Sequence, residues 1–358
     1  MKSERKRRIE ILIEKLKERN IYLYGAGIRG KVALENLNIL GYEKNICGFV
    51  DDNGQKEWVQ GKRVWRTDDI ESLAIPNASF IITTYAVKKM ACRLMEKGIS
   101  AENIHFFPEL LIDDVAIETF RTNREKIEQV YNILSDNLSK YLYKSLFDIY
   151  INGNIGILSR TKGDCQYFPG EGENNEIEGF YLSEHERFVD CGAYDGDTIR
   201  SFKIRTKDKY KKIWVFEPDA DNFARLVDFV EKAQDKRIEL IKGGVYSQND
   251  NMPFCRNCST TSALAQYGEE KVRVYQLDSV IEEPVTFIKM DIEGSEKEAI
   301  LGARRIITEY KPKLAICIYH KVEDFWEIPL LIKALNPDYN IYIRNYEDRI
   351  DETICYAV

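Results

Sequence analysis

The chain is poor in histidine, with three in 358 residues, and its eight cysteines form one close pair, Cys255 and Cys258 in CRNC. CRNC has no second pair and no histidine beside it, so it is not expected to hold zinc, and no metal is expected elsewhere. The eight cysteines are scattered along the chain, several inside apolar strand-like runs, as suits reduced, buried thiols in a cytoplasmic protein. No apolar run approaches the roughly 18 residues of a membrane-spanning helix, and the start has no signal-peptide core. Positive charge is in deficit too. The net charge of −7 argues against a nucleic-acid coat and against general attraction to a membrane. One stretch departs from this, MKSERKRRIEILIEKLKERN, with eight Lys/Arg against four Glu. Its Ile9, Leu12, Ile13 and Leu16 fall at helical spacing, the pattern of an amphipathic helix laid on the first domain.

What is present is an alternation of strands and helices with ordinary globular composition, 44% hydrophobic and 31% charged. A chain this long exceeds the size of a single core, so two domains are expected. From residue 20, IYLYGAG reads as a strand entering a glycine turn, IRGKVALENLNILG as a helix, and NICGFVDDN and ASFIITTY as further strands. This βαβ series predicts a small parallel sheet over residues 1–110. Residues 111–150 lack Gly and Pro and read as a continuous helical connector. A second series over 151–358 has strands at RFVDCG, KKIWVFEPD, RIELIKGGVYS, VRVYQLDSVI, VTFIKMDIEG and KLAICIYH. It closes on NIYIRNY and TICYAV, which read as an edge hairpin.

Each series carries a glycine loop after its first strand, and the two differ in charge. GAGIRG supplies Gly25, Gly27 and Gly30 in the dinucleotide pattern, with Asp51 at the end of the next strand where ribose hydroxyls would sit. Bound NAD(P), another nucleotide or sugar nucleotide, and a purely structural unit all remain open there. DCGAYDGD instead surrounds Gly192 and Gly196 with Asp190, Asp195 and Asp197. Acids at close range repel a pyrophosphate and suit a cationic guest. S-adenosylmethionine, a sulfonium with an ammonium and a ribose, meets that demand, and Glu217 in VFEPD stands where its ribose hydroxyls would be held. The competing reading is that Asp190 and Asp197 cap the following helix.

FVDCGAYDGDTIRSF, VFEPDADNFARL, YQLDSVI, FIKMDIEGSEKEAILGA and IYHKVEDFWEIPLLI together resemble the FkbM-family methyltransferases over roughly residues 160 to 358. The resemblance implies a class I methyltransferase fold, a Rossmann-like, mostly parallel α/β sheet with an antiparallel edge strand, preceded by a smaller Rossmann-like α/β domain. It implies S-adenosylmethionine-dependent methylation of a hydroxyl on a sugar, sugar nucleotide or other small polar compound. By the same resemblance Asp190, Gly192, Ala193 and Gly196 line the methionine side, and Glu217 and Pro218 hold the ribose and shape the adenine edge. Lys242, Gly243, Gly244 and Val245 form the adenine-facing loop.

An alcohol needs its proton bound or removed, and the groups that do this belong at carboxyl ends of strands. Asp291 ends FIKMD and His320 ends KLAICIYH, so these are the candidate catalytic residues. The opposing readings are an N-cap and a structural histidine. Glu293 beside them has metal-ligand chemistry, but no spacing rule enforces such a site. Tyr167 and Phe168 in YFPGEGENNEIEG read as a lid, and CRNCSTTSALAQYG as a substrate-facing loop. Expected partners are a small-molecule substrate, no nucleic acid and no membrane, with a homo-oligomer left open. Two rivals stand beside the methyltransferase reading. One is a nicotinamide-dependent, sugar-modifying oxidoreductase using GAGIRG, and the other is a methyltransferase fold kept only as a binding module.

Overall fold

A computed structural model describes residues 14, 16–52, 57–73, 77–84, 87–107, 119–120, 122–152, 166–169, 177–258, 261–264, 270–346 and 352–358. Most of the basic N-terminal stretch read as an amphipathic helix lies outside the described residues. The chain divides into two compact units, Met1–Thr122 with Lys144–Ser159, and Asn123–Tyr143 with Arg160–Val358.

In the first unit the strands are β1 (Asn20–Tyr24), β2 (Ile46–Val50), β3 (Trp58–Val59), β4 (Lys62–Trp65), β5 (Ala78–Ile82) and β6 (Ile104–Phe106). They form one sheet in the order β3-β4-β2-β1-β5-β6, parallel except where β3 pairs with β4. β5 is buried along its whole length, as a parallel strand covered on both faces must be. Tyr22 packs between Phe80 and Trp65 in the core.

In the second unit the strands are β7 (Arg187–Cys191), β8 (Lys212–Glu217), β9 (Ile238–Lys242), β10 (Gly244–Val245), β11 (Asp250–Cys258), β12 (Thr261–Leu264), β13 (Glu270–Tyr275), β14 (Phe287–Met290), β15 (Lys313–Cys317), β16 (Ile341–Asn345) and β17 (Thr353–Ala357). Seven of them make the main sheet in the order β16-β17-β15-β14-β7-β8-β9, with β17 alone antiparallel to its neighbours. The first strand of this series therefore sits centrally, with β8 on one side and β14 on the other. Phe188 holds that centre, stacked on Phe202 at 4.8 Å and on Phe287 at 4.7 Å. The architecture is a mostly parallel α/β sheet of the Rossmann-like kind.

Four local expectations change. CRNCSTTSALAQYG, read as a loop, supplies β11 and β12, which pair with β13 and β10 in a separate four-stranded sheet. β13 ends at Tyr275, and LDSV turns into a short helix rather than continuing as strand. Cys255 in β11 is disulfide-bonded, contrary to the expectation of reduced thiols throughout. Among the described residues of the connector, the helices Arg124–Ile133 and Asn137–Asn152 are separate, because Leu134–Asp136 leaves helical geometry to bond β16. The Ser135 amide donates to Ile341 O at 2.9 Å, and the Asp136 carboxylate accepts the Ser139 amide as an N-cap. Asp136 also pairs with buried Arg344 at 2.6 Å.

Candidate active site

In an open α/β sheet the crevice for a ligand lies at the carboxyl ends of the strands, where the strand order reverses. Here that point is β7, flanked by β8 and β14, and a cavity of about 620 Å³ opens over the three strand ends. Gly192, Tyr194 and Asp197 line it after β7, Glu217 and Pro218 at β8, and Asp291, Ile292 and Glu293 after β14.

Glu217 is 5% exposed, and both of its carboxylate oxygens face backbone donors. The Tyr194 amide donates to Oε2 and the Asp219 amide to Oε1, each at 2.9 Å. Burial pushes its carboxyl up to about 7, against the two amides, which favour the charged form. Asp219 next to it caps the helix Ala220–Ala233, accepting from the amides of Asp221 and Asn222. Gly192, at φ +82°, sits so close to β14 that a Cβ would overlap the Asp291 carbonyl oxygen. Glycine there lets the first loop close against the end of β14.

Lys289 projects from β14 and lines the cavity. Its ammonium lies 3.1 Å from the Asp190 carboxylate, donates to Gly192 O at 2.6 Å, and stands 5.1 Å over the Tyr167 ring. Burial disfavours that charge, but Asp190 and Asp291 hold the Lys289 ammonium well above its ordinary range. Tyr167 takes the left-handed backbone at φ +70°, costing about 1–2 kcal/mol. That conformation accompanies a 2.7 Å hydrogen bond from its hydroxyl to Asp291 Oδ2. Burial alone would raise the Asp291 carboxyl. Lys289, His320 and the Tyr167 hydroxyl more than offset it, so the group sits below the usual carboxylate range and is ionised at neutral pH.

His320 lies behind Asp291 rather than on the cavity wall. Its Nε2 is 3.4 Å from Asp291 Oδ1 and 3.3 Å from Glu293 Oε2, and its Nδ1 is 2.9 Å from Glu296 Oε1. Burial pulls the imidazole down, but Glu296, Asp291 and Glu293 raise it to about 9. An imidazole already protonated at neutral pH cannot accept the proton of an alcohol.

Residues 190–350 match the family described as "Methyltransferase FkbM domain". The chain carries an FkbM-family methyltransferase domain. Among similar solved structures is the methyltransferase FkbM from Methylobacillus flagellatus KT, with a TM-score of 0.72 over 98% of this chain and 93% of that one. The two are 22% identical, a likeness of fold. Fibrillarin from Aeropyrum pernix with natively bound S-adenosyl-L-methionine matches 49% of this chain and 69% of its own at 12% identity, with a TM-score of 0.33. An rRNA methylase from Streptococcus thermophilus matches 49% and 87% at 16% identity and 0.31. No curated protein matches the chain.

In the FkbM domain Gly192, Glu217, Pro218, Val245 and Asp291 meet at one cavity, as the sequence suggests. Four other residues proposed for the cofactor do not line it. Asp190 is fully buried as the counter-ion of Lys289. Ala193 packs in the hydrophobic core. Gly196 is the left-handed N-cap of the helix Asp197–Arg205, against Leu226 and Phe229. Gly243 is covered by the Tyr275 ring and Arg273 O. Phe168 is no lid either, being 3% exposed among Phe188, Phe202 and Phe287. Reading the sequence missed Lys289, whose role depends on Asp190 across the sheet, as well as Tyr194, Asn222 and Arg225 on the wall.

In the first unit Gly25, Gly27, Gly30 and Asp51 do come together. The Ala26 amide donates to Asp51 Oδ2 at 2.7 Å, and Gly25 N–H to Val50 O at 2.8 Å. A Cβ on Gly30 would overlap Gly25 O, so this glycine packs the helix Ile28–Ile39 on its strand. The acid expected to meet a ribose is thus bonded by the loop itself.

Proposed function

We propose that the FkbM domain is an S-adenosylmethionine-dependent O-methyltransferase acting on a small, neutral polyhydroxyl compound such as a sugar. The observation that carries this reading is the buried Glu217 in an acid-rich crevice at the switch point of the sheet. Each of its oxygens has one amide donor and retains acceptor capacity, which suits the two hydroxyls of a ribose. Pro218, Gly244 and Val245 would flank the adenine, and the loop after β7 would receive the cationic methionine end. S-adenosylmethionine supplies a methyl group on a sulfonium, open to attack by an oxygen nucleophile.

Transfer of that methyl group is an in-line displacement, so holding the acceptor hydroxyl in line supplies much of the rate. Asp291 is the group suited to receive the hydroxyl proton, being ionised and on the wall. The Tyr167 hydroxyl fixes one of its oxygens, and His320 approaches the other, as a positioning residue rather than a base. The acceptor class follows from charge. Among the described lining residues Asp197, Glu217, Asp219, Asp221, Asp291, Glu293 and Glu352 face only Arg225 and Lys289, and Lys289 is already paired with Asp190. A pyrophosphate-bearing sugar nucleotide would meet that wall with like charge, whereas a neutral polyol would find acceptors for its hydroxyls.

Calorimetric titration of the full chain with S-adenosylmethionine, and separately with NAD, tests the reading. Micromolar binding of the methyl donor is expected, weakened at least tenfold in Glu217→Ala. Binding of NAD with no binding of S-adenosylmethionine would overturn it in favour of an oxidoreductase.

A further inference from the structure

Behind the cavity wall, three carboxylates converge on one imidazole. Asp291 follows β14, Glu293 lies in the next turn at φ +56°, Glu296 opens the helix Glu296–Gly302, and His320 stands after β15. Glu296 is fully buried and His320 nine-tenths buried. Glu296 Oε2 has no hydrogen-bond partner among the described residues, while the protonated His320 directs Nδ1 at Glu296 Oε1 across 2.9 Å. A buried lone pair without a donor is costly, so such atoms call for a partner. The neighbouring lysines are engaged elsewhere. Lys289 holds Asp190 and Gly192 O, and Lys321 donates to Gly294 O.

We infer that Asp291, Glu296 and one imidazole nitrogen of His320 form a binding site for a divalent metal ion, with Glu293 at its solvent side. One ligand atom from each of the three lies within 4.8 Å of the others. Donors about 2.1 Å from a shared ion stand roughly 3 to 4.2 Å apart, so small side-chain shifts complete the set. Two carboxylates and one imidazole suit manganese, iron(II), cobalt or zinc rather than calcium. Asp291 and Glu293 line the cavity, which gives the ion an entry path and leaves its open positions toward the acceptor half of the crevice. The remaining ligands sit on the ends of β14 and β15 and the first turn of a helix, rigid elements that hold a geometry.

The site is independent of the methyl donor's ribose and adenine contacts, though it shares Asp291, His320 and Glu293 with the reading above. The test is therefore a metal titration without nucleoside. Full-length protein, dialysed against a chelator, is titrated with manganese(II) while the free ion is followed by electron paramagnetic resonance. One ion per chain with micromolar affinity is expected, weakened about tenfold or more in His320→Ala and in Glu296→Gln. Undiminished binding in His320→Ala, or no binding at millimolar manganese, zinc and cobalt, would overturn it. Should either variant fail to fold, cobalt(II) on the unaltered chain decides. A hyperfine-shifted imidazole N–H proton resonance supports the site, and its absence refutes it. S-adenosylmethionine binding to the metal-free protein, measured in parallel, keeps a failure here distinct from failure of the methyltransferase reading.

Discussion

At the scale of single residues, Glu217 carries the most testable chemistry. Its carboxyl rises from 4.5 in the unfolded chain to about 7 in the fold, chiefly through burial. A raised acid contributes stability below its unfolded value and loses that contribution as pH climbs through 7, a swing on the order of 3 kcal/mol. Asp219 pushes the value up, and Lys289 pulls it down. A ribose diol donates hydrogen bonds to the charged form, so binding should lower this pKa and expel a proton. Calorimetry of S-adenosylmethionine binding in buffers of different ionisation enthalpy should show release of about half a proton at pH 7. Affinity should rise with pH up to about 7 and then level off, and Glu217→Gln should abolish both effects. Proton uptake instead would mean that the neutral acid is the binding form. Glu217 was legible because an acid ending a strand after a glycine loop is a local signal. Lys289 was not, because inside FIKM it looks like any strand residue. Its pairing with Asp190 across β7 and β14, with Asp291 and Gly192 O close by, explains a buried ammonium. The surroundings of His320 are not legible either, since the carboxylates that hold it protonated arrive from β14 and the helix after it.

Among elements, the glycine loop of the first unit separates packing from conformation. Gly27 and Gly30 belong to the same motif, yet their surroundings differ. A Cβ on Gly27 meets nothing within 4 Å, and its φ of −72° suits any residue. On Gly30 it would strike the Gly25 carbonyl and crowd Phe49, forcing the helix Ile28–Ile39 off β1. Gly30→Ala should therefore destabilise the first unit by about 2 kcal/mol or more, the range of overpacked cores. Gly27→Ala should cost under about 1 kcal/mol, a lost cap preference only. Urea denaturation of both variants, followed by circular dichroism, checks the contrast, and equal losses would contradict it. Element existence was readable wherever apolar runs alternated with glycine turns. The break in the connector was not, because Asp136 acts there as an N-cap bonded to Ser139 and Arg344 rather than as a helix-surface charge. The hairpin of β11 and β12 was hidden by a Ser/Thr-rich sequence equally suited to a solvated loop.

For the molecule as a whole, two glycine loops of similar sequence part company through charge and hydrogen bonding. The loop after β7 leaves its acid partner Glu217 on a cavity wall with acceptor capacity to spare, while the loop after β1 gives the Ala26 amide to Asp51. Each unit has its own core, so each can open as a separate cooperative body. A ligand that binds only the folded second unit stabilises it by about 2.7 kcal/mol at a concentration 100 times its Kd. Hydrogen exchange with and without S-adenosylmethionine should then show slowed exchange at Gly192, Tyr194, Asp219 and the amides of β7, β8 and β14. The amides of β1, β2 and β5 should exchange unchanged. With NAD in place of the methyl donor, neither set should move. Protection of Gly25 to Gly30 by NAD would instead mean that a dinucleotide displaces the Asp51 bond, making the first unit a second ligand site. Protection confined to the second unit would mean that the glycines of GAGIRG serve the packing of a helix on its strand, the role Gly30 already performs against Gly25 O.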